Sequence, residues 1–204
     1  GLGLPYINPL LAEQTGSTPL SGRIAAYAWG RDYHHLIPLK LNKLAMRISE
    51  LAERPVKAKG FTDSSPILER DLAQRAGLGW IGKNSMLINP RFGSFFFIAE
   101  LFLDIEVEPD LPFSIDRCGN CHRCVDACPT QCIYPNRTIN SNRCISYLTI
   151  ENRGIIPKDL RHRIQNCLFG CDICQMVCPW NQRTEAPIFE NDLVSGDLLT
   201  SLDC

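Results

Sequence analysis

Cys118, Cys121, Cys124 and Cys128, with Pro129 behind them, read C-x2-C-x2-C-x3-C-P, and Cys171, Cys174 and Cys178 with Pro179 repeat the last three positions of that pattern. This is the spacing by which bacterial ferredoxin-type segments hold [4Fe–4S] cubes. Two-residue intervals let one loop wrap three thiolates round a cube, while the fourth cysteine, beyond that loop's reach, serves the neighbouring cube. Cluster 1 is therefore expected to take Cys118, Cys121, Cys124 and Cys178. Cluster 2 takes Cys128, Cys171 and Cys174 and is one ligand short, because Leu168 stands where a regular ferredoxin has its next cysteine. Cys132, Cys144, Cys167 and Cys204 remain as candidates, with Cys132 and Cys204 reading as ordinary thiols. Structural zinc also uses C-x2-C pairs, but two cubes account better for the cysteine count and for both Cys-Pro pairs. Disulfides are disfavoured, since nothing in the chain indicates an oxidising compartment.

The elements that must carry these thiols fit within 204 residues of 45% hydrophobic content, enough for one core with a small metal-stabilised domain attached. A formal charge of −1 gives no global pull toward polyanions, so any such partner must be met by a local patch. No apolar run reaches the roughly 18 residues needed to span a bilayer, since Glu100 and Asp104 cut the longest one. The first residues, GLGLPYINPLLAEQTG, lack the basic start and cleavage site of a secretory signal. A cytoplasmic protein without a membrane partner is expected.

More than half of the chain precedes Cys118, which an electron carrier alone does not need. Ile37, Leu41, Leu44, Ile48 and Leu51 recur at helical spacing and predict one apolar helix face, with Lys40, Lys43, Arg47 and Glu50 elsewhere. VKAKGF reads as a strand, and the stretch from Asp63 to Gly79 as a second helix with Ser65 as N-cap, Pro66 at the first position and Gly77 near its end. SMLINPRFGSFFFIAELFLDIEV predicts a hairpin turning at NPRFG. The fold class is α+β: an N-terminal mixed α/β domain over residues 1–110, a ferredoxin-like domain with two [4Fe–4S] clusters over 111–185, and a tail over 186–204. The first boundary is drawn near EVEPDLPFSIDR, where prolines and acids break the apolar pattern.

Within the first domain, Asp63 precedes a predicted helix start, where a carboxylate caps free amides or is held over a pocket as an acid. RDYHH gathers Asp32, Tyr33, His34 and His35, either a polar binding cluster or the beginning of a helix. GLGWIGKNS has the spacing of a dinucleotide loop, but a helix rather than a strand precedes it, so that reading is rejected.

Taken in order, GRDYHH, D-x-x-P-x-x-E-R, GLGWIGKN, the two cysteine runs and RCISYLT resemble the epoxyqueuosine reductases, cobalamin-dependent iron–sulfur enzymes that complete queuosine in the tRNA anticodon. The resemblance covers most of the chain, and because family members usually extend further at both ends, it implies a fragment. It implies Cys144 as the fourth thiolate of cluster 2, and Asp63 as the proton donor to the epoxide oxygen. Asp32, Tyr33, His34 and Arg70 match its substrate-pocket residues, and Leu87, Ile98, Ser146 and Asp172 fall where it contacts cobalamin, partly through backbone. The first domain is then a cobalamin-binding one. The implied reaction is a two-electron reduction with loss of water, the electrons passing from an outside donor of flavodoxin or ferredoxin type through the cubes to cobalt.

The tRNA partner, carrying epoxyqueuosine, would need positive charge. Between Arg137 and Arg163 six basic side chains face two acidic ones, and Arg153, Lys158 and Arg161 are the expected phosphate contacts. The chain is expected to act as a monomer. Two other functions use the same cysteines: a cobalamin-dependent reductive dehalogenase, and a ferredoxin-type electron-transfer module that binds no corrin.

Overall fold

The computed structural model describes residues 1–6, 21–182 and the backbone of 201–203. Cys204 and most of the expected tail over 186–204 lie outside the described residues. Three antiparallel strands form the main sheet: β1 (Leu2–Pro5) and β3 (Ala58–Phe61) flank β6 (Phe96–Leu103). Alternation along β6 decides what packs where. Phe97 and Ala99 face one side, where Leu36, Ile37 and Leu41 of α1 (Tyr33–Leu51) meet them together with Tyr6 and Phe95. Phe96 and Ile98 face the other, against Ala73 of α2 (Glu69–Arg75) and Leu87.

The predicted apolar helix is α1, which begins four residues earlier than its periodicity alone suggests because Asp32 caps it, accepting from the backbone N–H of His34 at 2.9 Å. Only the first part of its apolar stripe is buried, for Leu51 is 69% exposed. VKAKGF contains β3, as expected. The second helix starts later than predicted, with Leu68 rather than Ser65 at the N-cap. Pro66 disfavours helical backbone at the residue before it, and residues 63–68 instead make short turns, Ser64 N–H to the Thr62 carbonyl and Ile67 N–H to the Ser65 carbonyl. Gly77, at φ +76, follows the helix end in the left-handed conformation that favours glycine.

The predicted hairpin is built differently. Asn89 and Gly93 close the NPRFG turn, but β5 (Leu87–Ile88) pairs with β4 (Trp80–Ile81) and not with β6. The glycine of β4's approach explains the pairing: a side chain at Gly79 would strike the Ile88 carbonyl.

Residues 106–117 carry no regular element, and the cysteine-bearing part follows as short helices: α3 (Arg123–Asp126), α4 (Ile145–Ile150), α5 (Lys158–Ile164), α6 (Ile173–Met176) and α7 (Pro179–Gln182). Ile145, Leu148, Leu160 and Ile164 form its own apolar cluster. A second sheet ties it to the rest of the chain, because β2 (Ser21–Ile24) pairs in parallel with β7 (Cys167–Phe169) and antiparallel with β8 (Ser201–Asp203). A buried polar knot adds to that tie. The Asn181 side chain accepts from Ser94 N–H at 2.6 Å and donates to Ser94 Oγ and the Gln175 carbonyl, while Ser94 Oγ donates to Gln175 Oε1 at 2.8 Å. No helix among the described residues is long and apolar enough to cross a membrane.

Candidate active site

The loop over 117–123 and the start of α7 bring Cys118, Cys121, Cys124 and Cys178 to one cavity of about 230 Å³, also lined by Lys83, Arg117 and Trp180. Three of these thiols come from the first run and one from the second, as the ligand exchange between runs requires. Two groups from the first domain hold this loop. Lys83, 8% exposed, donates from Nζ to the carbonyls of Gly119 at 2.8 Å and Cys121 at 2.9 Å. The buried Trp80 indole N–H reaches Cys118 Sγ at 3.5 Å. Burial, with the nearby Cys118, Cys178 and Cys121, pushes the Cys124 thiol up to about 11, a cost that bound iron would reverse by stabilising the thiolate.

The second thiol set gathers beside the first. Cys174 lies close to Cys144, Cys124 and Cys128, and Cys171 close to Cys174 and Cys167. Cys132 touches both Cys128 and Cys144, and its hydrogen bond, with those of Thr130, holds the Cys128 thiol down at about 5. Among the described residues no three His, Cys, Asp or Glu side chains converge on a single metal-ion position. A cube binds each thiolate to a different iron, so its ligands stand further apart than those of one ion.

Asp63 sits at φ +56, a conformation uncommon for a residue with a side chain. Three contacts keep it there. Its backbone N–H donates to Glu69 Oε1 at 2.5 Å, the Tyr33 hydroxyl donates to its Oδ2 at 2.6 Å, and His34 Nε2 stands 3.5 Å from the same oxygen. His34 is itself held by Asp32 through Nδ1 at 2.8 Å, and its ring stacks on Tyr33. Tyr33 stacks in turn on Phe97 of the core sheet, 4.2 Å between centroids. Asp32, Tyr33, His34 and Asp63 thus form one polar group, and RDYHH is the start of α1 as one of its two readings expected. The Asp63 side chain is 64% exposed. Arg70 does not join this group; it donates to the Ser85 carbonyl at 2.5 Å.

Tyr27 was not singled out by sequence. Burial first, then the charges of Asp63 and Asp172, push its hydroxyl up to about 12. Gly170, at φ +71, leaves space for this ring and for Ala25, which an added side chain would take. Asp172 accepts from Ala26 N–H at 2.7 Å, and burial raises its carboxyl to about 6. Of the expected cobalamin contacts, Asp172 and the half-buried Ser146 flank the second thiol set, Asp172 beside Cys174 and Ser146 two residues after Cys144. Leu87 and Ile98 pack together in the apolar cluster behind β6, and the Ile98 carbonyl accepts from the Thr62 hydroxyl at 3.0 Å.

The basic stretch divides in two. Arg137 pairs with Asp116 and donates to the Ile81 carbonyl, Arg143 donates to the Thr130 carbonyl, and Arg163 to the Pro129 carbonyl. Arg153, Lys158 and Arg161 are exposed and make no ion pair among the described residues, although Arg161 Nε also donates to the Ile156 carbonyl at 3.0 Å. Glu100 is a further residue that sequence used only as a break in an apolar run. It is 2% exposed and neither carboxyl oxygen has a hydrogen-bond partner among the described residues.

Residues 2–64 match a family model described as epoxyqueuosine reductase QueG, and residues 117–181 match a 4Fe-4S double cluster binding domain. An epoxyqueuosine reductase of Synechocystis is 42% identical over 205 residues, covering 99% of this chain and 69% of the relative. One of Aliivibrio fischeri is 50% identical over 167 residues, covering 82% of this chain and 44% of the relative. A crystal structure of epoxyqueuosine reductase with an epoxyqueuosine-modified tRNA-Tyr stem loop superposes with a TM-score of 0.82 at 35% identity, over 94% of this chain and 50% of that one. The chain spans about half the length of most of the relatives it matches.

Proposed function

The chain belongs to the epoxyqueuosine reductase family, and from that premise we propose that it carries the redox and proton-donating part of an enzyme reducing epoxyqueuosine to queuosine in tRNA. The division proposed is a cobalamin- and substrate-binding domain over 1–110 and a two-cluster domain over 111–185. The observation that supports the reading is the Asp63 carboxyl, held by the Tyr33 hydroxyl at 2.6 Å and by His34 Nε2 at 3.5 Å in the same chain as the two gathered cysteine sets. An electron carrier has no use for that carboxyl.

Cys118, Cys121, Cys124 and Cys178 would hold cluster 1, and Cys128, Cys144, Cys171 and Cys174 cluster 2. Leu87, Ile98, Ser146 and Asp172 would hold cobalamin, partly through backbone. When bound, the clusters supply electrons one at a time and cobalamin supplies the reducing chemistry at the epoxide-bearing ring. The protein's own residues do the rest. Asp63 gives a proton to the epoxide oxygen, which leaves as water after a second proton and two electrons have been taken up. Tyr33 and His34 fix its Oδ2, and Glu69 fixes its backbone, so that the acid is aimed before substrate arrives. Substrate and corrin together would shut water from a side chain that is open in the protein alone. Arg70, Asp32, Tyr33 and His34 would line the pocket, and Arg153, Lys158 and Arg161 would meet the tRNA backbone.

The test is anaerobic reconstitution followed by metal analysis and turnover on epoxyqueuosine-containing tRNA. About eight irons and one corrin per chain are expected from two four-iron clusters and one cobalamin. The Asp63→Asn variant should keep both and lose turnover by roughly 10²–10⁴-fold, the usual contribution of a positioned acid. Normal turnover by a fully loaded Asp63→Asn protein would remove the proton-donor role, and a chain that binds iron but no corrin would favour the electron-transfer module.

A further inference from the structure

Cys132 is a thiol that the cluster assignments leave over. It is 3% exposed, and its surroundings are not those of an ordinary core cysteine. Its sulfur lies 3.4 Å from Cys128 Sγ, its backbone N–H points at that same sulfur at 3.4 Å, and it also makes a hydrogen-bond contact to Cys144. Both neighbours belong to the set assigned to cluster 2. Ligands on different corners of a cube are separated by the cube itself, so a sulfur in contact with a ligand sulfur is the ligand's neighbour and not a second ligand. A thiol in that position has one proton and, once its neighbours are iron-bound thiolates, two acceptors for it.

Resting on the two-cluster reading above, we propose that Cys132 is a hydrogen-bond donor to the thiolates of cluster 2 and raises that cluster's reduction potential. A hydrogen bond to a ligand sulfur draws electron density from the cluster and favours the reduced, more negative state, one of the levers by which proteins set these potentials. The corresponding donor at cluster 1 is the Trp80 indole, at a comparable 3.5 Å but to a single sulfur. The Cys132 thiol and its own backbone N–H act together on Cys128, so cluster 2 receives the stronger pull. That is the direction required if electrons enter at cluster 1 and collect at the cluster beside Asp172 and Ser146.

The experiment compares the full-length protein with its Cys132→Ala and Cys132→Ser variants, each reconstituted anaerobically, by iron analysis and by redox titration followed with electron paramagnetic resonance. All three should hold about eight irons. In Cys132→Ala one of the two midpoints should fall while the other stays, and in Cys132→Ser, whose hydroxyl still donates, the midpoint should remain near the parent's. Midpoints unmoved in Cys132→Ala, or moved equally in both variants, overturn the proposal. So does a fall to about four irons in either variant, which would make Cys132 a ligand. A parent protein that itself lacks two clusters would overturn the underlying reading, a result separable from the other two.

Discussion

Replacing Glu100 by Gln tests the energetics of the core against a number. The carboxyl is buried with no hydrogen-bond partner among the described residues, and burial first, then the neighbouring charge of Glu69, raise it from the ordinary 4.5 to about 7. An acid whose folded value lies above its unfolded one stabilises the fold only while protonated. Between 4.5 and about 7 the native state binds the extra proton, so stability is full below that window and falls as pH rises through it. At about 1.36 kcal/mol per pH unit the whole shift is worth about 3 kcal/mol, of which about 2.5 kcal/mol falls between pH 5 and pH 8. Glutamine has the same shape and no charge to lose. The Glu100→Gln protein should therefore gain on the parent by about 2.5 kcal/mol from pH 5 to pH 8, roughly 5–10 °C in melting temperature for a chain of this size. Asp172, raised to about 6 by burial, works in the same direction in its own lower window, but it is present in both proteins and cancels. Paired thermal melts across that range are the assay. A difference that does not change with pH would mean that Glu100 is not a buried charge, and the account of the α2 face of the sheet would be wrong.

Lys83→Met should leave two loop carbonyls, of Gly119 and Cys121, without their charged donor, costing about 2–4 kcal/mol locally; iron analysis should then show preferential loss of one cluster, and full iron occupancy would contradict the role given to Lys83. Binding of tRNA should weaken with salt, and Arg153→Ala or Arg161→Ala should each lower the slope of log K against log salt by about 0.7–1. Arg163→Ala, which removes a bond to the Pro129 carbonyl, should change stability more than that slope. An unchanged slope in the first two variants would remove the footprint.

What was legible in the sequence was whatever depends on short spacing. The cysteine runs specify which thiols can share a cavity because two- and three-residue intervals leave a loop few choices, and Cys178 joins Cys118, Cys121 and Cys124 as the exchange predicts. The apolar stripe of α1 and the glycine after α2 are equally local. Pairings over long separations carried no such signal. Strand β2 meets β7 across more than 140 residues, through strands of four and three residues whose composition is ordinary. The start of α2 was misread because a serine before a proline resembles a cap, whereas the turns that hold Asp63 use those residues first. Lys83 and Glu100 were visible as charges amid apolar neighbours, but sequence does not say that one reaches a loop 36 residues away and the other has no hydrogen-bond partner among the described residues.

The part of the chain before Cys118 is, for related reasons, more than a platform for the cysteine-bearing part. Lys83, Asn84 and Trp80 all come from the segment that resembled a nucleotide loop, and all three point at the cysteine-bearing part: Lys83 at the cluster 1 loop, Trp80 at Cys118, and Asn84 from Nδ2 at the Cys174 carbonyl. Gly79 serves this purpose, since it lets β4 lie against β5 closely enough for Trp80 and Ile88 to pack with Cys118 and Cys178. Arg70 and Arg137, bound to the carbonyls of Ser85 and Ile81, fasten the same segment from the acid side and the cluster side. A shift of this hairpin would therefore move the cluster 1 loop and the start of α2 together. Under the reading proposed above, this one element links the loop that would carry cluster 1 to the helix that follows Asp63, so the separation of the two depends on it.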